Sequence, residues 1–193
     1  MSITRAKTSS IAQGPSTNRN LLAGNPTILP GSYESIATVT AGAGGSATIV
    51  FNSIPSTYKH LQIRAISKGA GSTSNATFQF NGDTGTNYSY HIVYGNGSSA
   101  LATGGASNTF IYLGTQSATA STFSTEIIDI LDYSSTSKNK TVRSLCGYEN
   151  NSAGEMGMFS GAWLNSSTAI SSITFSLSSN FQQYSSFALY GIK

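Results

Sequence analysis

From Ser32 onward, apolar and polar residues alternate in short runs, broken by turn-forming residues at intervals of roughly 10 to 15 positions. The alternation is clearest in ITFSLS, where Ile173, Phe175 and Leu177 point to one face and Thr174, Ser176 and Ser178 to the other. Leu61, Ile63 and Ala65 against Gln62 and Arg64 repeat it. Strands are predicted over 33–40, 46–54, 58–67, 75–81, 88–95, 108–115, 123–133, 140–149, 156–164, 170–178 and 185–192. One of them has a helical alternative, because Glu126, Asp129 and Asp132 at three-residue intervals would share a helix face. The β-branched and aromatic run Thr122, Phe123, Thr125, Ile127, Ile128 and Ile130 favours the strand, with Glu126 and Asp132 facing opposite to Asp129. Residues 134–139 are then the polar tip of a hairpin whose lysines sit in water. The fold class this predicts is all-β, an antiparallel, jelly-roll-like β-sandwich occupying residues 33–193.

Residues 1–32 break the pattern. Pro15, Pro26 and Pro30 with Gly14, Gly24 and Gly31 interrupt any long helix or strand, and read as an extended N-terminal arm. Ordering such a segment costs about 1 to 2 kcal/mol per residue, so it is expected to be held against something else. Its handles would be Leu21, Leu22, Ile28 and Leu29 with the cations Arg5, Lys7 and Arg19.

Charge sharpens this division. The formal charge of +3 belongs wholly to the arm, which has three basic residues and no acid; the body carries seven of each. Three scattered cations fall short of the basic stripe that nucleic-acid binding needs. Charged residues make up only 9% of the chain, while 34 Ser, 22 Thr and 20 Gly give a neutral, hydrogen-bonding surface suited to β-structure. A single cysteine, Cys146, rules out an intrachain disulfide. No run of 18 apolar residues is present, so membrane insertion is not expected, and MSITRAKTSSIAQG lacks the apolar centre of a secretory signal.

Candidate chemistry is sparse. His60 and His91 lack paired-ligand spacing, and NGDTGTN (81–87) offers a single carboxylate, which suits a turn better than a calcium loop. Glycine-rich GAGGSATIVF (42–51) leads into a strand and not a helix, so it builds no phosphate site; GNGSSALATGG (95–105) reads as a flexible loop long enough to bind something. No Gly-x-Ser-x-Gly elbow occurs. Enzymatic activity and a cofactor are therefore not expected. Tyr88, Tyr90 and Tyr94 on one strand face, with Tyr112, are candidates for glycan or subunit contact. Asp129 and Asp132 with Arg143 are candidates for ion pairs between strands or between subunits.

Several stretches together, SYESIATVTAGAGGSATIVFNSIPSTYKHLQIRAISKG, FNGDTGTNYSYHIVYGNGSS, IIDILDYSSTSKNKTVRSLCGYENN, SGAWLNSSTAISSITF and NFQQYSSFALYGIK, resemble a family of small virion proteins of tailed bacteriophages, labelled tail-fibre, minor tail or accessory structural proteins. The resemblance covers about 33–193, with a fainter echo in NRNLLAGNPTILPGSYES. It implies a homo-oligomer, with a trimer favoured, made in the host cytoplasm and carried on the surface of the particle. Other virion proteins and host-surface polysaccharide are the partners it implies. A capsid-decorating or cement protein is the nearest alternative role, and a glycan-degrading enzyme a more remote one.

Overall fold

In the computed structural model, residues 32–71, 74–119 and 121–193 are described, and Tyr33–Lys193 form one body. The arm residues Arg5, Lys7, Arg19, Leu21, Leu22, Ile28 and Leu29 lie outside the described residues.

Among the described residues, twelve strands follow one another: β1 Tyr33–Thr40, β2 Ser46–Phe51, β3 His60–Ser67, β4 Ser74–Phe80, β5 Tyr88–Gly95, β6 Ala100–Asn108, β7 Ile111–Gln116, β8 Ser124–Leu131, β9 Lys140–Glu149, β10 Gly154–Trp163, β11 Ile173–Phe181 and β12 Ser186–Ile192. They make two wholly antiparallel sheets: an eight-stranded one in the order β1-β12-β3-β8-β9-β10-β5-β6, and a four-stranded one in the order β2-β11-β4-β7.

Eight of these strands form a jelly roll. If the hairpins β5–β6 and β9–β10 are set aside, the remaining strands renumber as 1-8-3-6 facing 2-7-4-5, the interleaving that a doubly wound antiparallel sandwich produces. The two hairpins are insertions, one between β4 and β7, the other between β8 and β11. They pair with each other through β10 and β5, and with the parent sheet through β8 and β9. One sheet is thereby twice as wide as the other.

Strand parity places the core. Leu61, Ile63, Ile128, Ile130, Phe78, Phe80, Phe175, Phe181, Phe187 and Leu189 all face inward and are buried, with Phe78 stacked on Phe175 at 5.7 Å and Phe175 tilted against Phe187 at 5.0 Å. Each such side chain removed from water contributes roughly 1.5 to 3 kcal/mol. The inserted half has a smaller cluster of its own, Ile92, Cys146 and Phe159, flanked by Tyr90, Tyr94 and Tyr112. It packs where β7 passes beneath the wide sheet. Gly114 permits that approach, because any side chain there would run into Cys146 Sγ.

The segment 95–105 is not a loop. Most of it is β6, an edge strand paired with β5, and it escaped detection because Ala, Thr, Gly and Ser carry no apolar alternation. Glycine here has a packing reason: a Cβ at Gly104 would stand 2.6 Å from the His91 ring carbon Cδ2. β2 stops at Phe51, before the expected end, as Ser53 turns into the left-handed region at φ 55°.

Candidate functional site

The charged hairpin is held together from within. Asp129 on β8 lies directly across from Arg143 on β9, and Arg143 Nε donates to Asp129 Oδ2 at 2.9 Å. Asp132 is joined instead by Lys138, whose Nζ donates to Oδ2 at 2.8 Å, and this hydrogen bond draws the Asp132 carboxyl below its ordinary pKa. The Asp132 amide also donates to His60 Nδ1 at 3.0 Å. With Arg143 72% exposed, its pair stabilises the body by only about 0 to 1 kcal/mol.

Lys140 departs from the wet-tip expectation. It is fully buried, and its ammonium donates to the Lys138 carbonyl at 3.1 Å and the Asn165 carbonyl at 2.9 Å while lying 5.6 Å from the Trp163 ring centre. Burial lowers its pKa. Strand parity gives the reason, because Lys140 shares the inward face of β9 with Val142, Ser144 and Cys146.

The four tyrosines do not form one exposed surface. Tyr88 is fully buried, stacked on Trp163, with its hydroxyl accepting from Phe80 N at 3.0 Å and donating to the Asp83 carbonyl at 3.1 Å. Burial pushes its pKa up to about 12. It is a core residue, and expecting it at a contact surface was mistaken because the inward face of β5 is covered at that end. Tyr90 meets Tyr112 edge to face at 4.8 Å, and Tyr112 meets Phe110 at 4.9 Å, so both are half-buried between β5 and β7. Tyr94 lines a pocket of about 220 Å³ with Asn75, Thr103, Thr115 and Glu155.

Asp83 organises a turn. Its Oδ1 accepts from Gly85 N at 2.8 Å and its Oδ2 from Trp163 Nε1 at 2.7 Å, and the indole bond is the main reason its pKa is lowered. Among the described residues, no group of three or more His, Cys, Asp or Glu side chains could hold a metal.

Two features were not foreseen. Glu126 faces inward, 3% exposed, with Oε1 accepting from Gly114 N at 3.2 Å, and among the described residues Oε2 makes no hydrogen bond of ordinary length. Desolvation raises Glu126 to about 7, and burial with the nearby Glu126 and Glu155 charges raises the Cys146 thiol to about 12. The signal was in the sequence, since Glu126 has the parity of Ile128 and Ile130.

The second is the outer face of the wide sheet. Side by side across adjacent strands stand Ile127, Leu145, Met158 and Val93, at 45%, 49%, 61% and 55% exposure. Ile66 and Met156 join them in the next row, so among the described residues six of the eleven large apolar side chains left exposed gather on one face. A dimple of about 420 Å³ opens between Arg64, Thr125, Ile127, Leu145, Gly147 and Met156. A groove of about 930 Å³ continues it towards the tips of the inserted hairpins, past Tyr148, Glu149 and Asn151.

No family model, curated protein or solved structure matches this chain. Its function is therefore argued from the site. The buried Glu126 and Cys146 are closed in by the sheets, whereas the outer face offers a flat, apolar, weakly charged area. Contiguous exposed patches of this kind are suited to holding another macromolecule.

Proposed function

We propose that this chain is a structural protein of a tailed-phage virion, a non-catalytic β-sandwich module that joins the particle through its N-terminal arm, associates with copies of itself and turns its body towards the host surface. The observation that carries this reading is the widened sheet. Two hairpins inserted into a jelly roll add four strands, and on the outward side Leu145, Met158 and Val93 of β9, β10 and β5 stand exposed beside Ile127 of the parent strand β8. A chain acting alone has no need of such a face. The low charge of the body, its Ser- and Thr-rich surface and the resemblance of the stretches quoted above to small phage virion proteins support the same reading.

Host-surface polysaccharide is the proposed ligand. Of the four tyrosines, Tyr94 is the one best placed to meet it, because its pocket combines a ring with the Asn75 amide, the Thr103 and Thr115 hydroxyls and the Glu155 carboxylate. Deleting residues 1–31 tests the anchoring role: the remaining body should fold and fail to join particles, and retained incorporation would overturn it. Copy number on intact particles separates the two places on a virion. Hundreds of copies assign the chain to the head as a cement protein, and a few dozen or fewer to the tail.

A further inference from the structure

We propose that the outer face of β8, β9, β10 and β5 is a self-association interface, on which a second copy of this chain packs about a two-fold axis crossing β9 at residue 146. The face is self-complementary about that point. Reversing β9 there sets Leu145 over Gly147 of the partner subunit and Arg143 over Glu149 of the partner subunit. On the neighbouring strands the same operation sets Ile127 over the partner's Thr125, Val93 over the partner's Gly95, and Met158 over the partner's Met156, as the cross-strand registers require. Three of these rows put a large apolar side chain opposite a small residue, so the Gly147 dimple receives Leu145. An isologous contact needs knob and hole on one surface.

Charge supplies the specificity. Arg143 is 72% exposed and uses Nε on Asp129, which leaves its terminal nitrogens for a second carboxylate. Glu149 is exposed at the other end of the same strand face and makes no ion pair within the described residues. Two Arg143–Glu149 pairs would therefore close the two ends of the contact. Face-to-face sheets pack about 10 Å apart at roughly −30°, so the register is tightest at the axis and loosens outward. The inference does not depend on the virion reading, since it concerns the isolated chain.

The test is sedimentation equilibrium of the purified full chain across a dilution series. A dimer is expected, with twice the 20.1 kDa mass of the chain. Leu145→Asp should leave a folded monomer, as the side chain is half-exposed already, and Val93→Lys, two strands over on the same exposed face, should do the same. Arg143→Glu and Glu149→Arg should each weaken the dimer about tenfold or more, and the double variant R143E/E149R should recover most of the loss. A monomer at every concentration, a trimer, or a dimer that Leu145→Asp leaves intact would overturn the interface. A double variant no tighter than the single ones would overturn the two-fold register.

Discussion

The parent jelly roll and the inserted four strands solve the same packing problem with different materials. In the jelly roll, both sheets turn large apolar side chains inward, and Phe78, Phe80, Phe175, Phe181 and Phe187 fill the space between them. In the insertion, Tyr88, Val142 and Trp163 reach the main core, but the rest of the inner side rests on the small cluster of Ile92, Cys146 and Phe159 beside the buried Glu126 of β8, while Val93, Leu145, Met156 and Met158 stand outward. The first arrangement makes a fold that stands by itself. The second leaves apolar surface unsatisfied and so reads as a place where association supplies what folding does not. Insertion into a stable scaffold lets the new strands take on that task without disturbing the core.

The largest expected effect falls on the jelly-roll side. Phe175→Ala, at a fully buried position in contact with three other rings, should cost about 3 to 5 kcal/mol in denaturant unfolding. Ile92→Ala in the smaller cluster should cost about 2 kcal/mol, because fewer buried neighbours hold the cavity open. Equal losses would dissolve the contrast between the halves.

Glu126 sharpens the comparison through pH. Its folded pKa is raised from 4.5 to about 7, so the folded body holds a proton that the unfolded chain gives up. Its contribution to stability is greatest below about pH 4.5, falls as pH rises towards 7, and is constant above that, a loss on the order of 3 kcal/mol. Glu126→Gln should remove this slope and stabilise the body at pH 8, as read from urea midpoints across the pH range. An unchanged slope would place the titrating group elsewhere.

Lys140→Met keeps the length of the stem while leaving the Lys138 and Asn165 carbonyls without their donor. A cost of about 1 to 3 kcal/mol is expected in thermal or urea unfolding. Asp129→Asn lies at the small end, about 0 to 1 kcal/mol, because its partner Arg143 remains largely in water.

How much of this was legible in the residues follows from the physics of each element. Strands with alternating apolar residues, such as Ile173 to Leu177, announce both their existence and their inward face. β6 gives no such signal, because an edge strand beside Tyr90 and His91 needs small residues and has little to bury. Sheet order is a property of pairings far apart in sequence, so nothing in the local pattern said that β5 would lie beside β10. Parity did carry the burial of Glu126 and Lys140, but a charged residue on an inward face is easily taken for a strand end or a wet tip. The exposed row fared similarly: Leu145 and Met158 are unremarkable singly, and only the register β8-β9-β10-β5 brings them side by side.

The central claim is that the outer face of the insertion is covered when the protein assembles. Oxidative footprinting of Met156 and Met158, 65% and 61% exposed in the single chain, tests it most directly. Oxidation of both should be fast in dilute solution and slow at concentrations where copies associate, with Leu145→Asp oxidised fast throughout. Equal rates in the dilute and associated states would contradict the account.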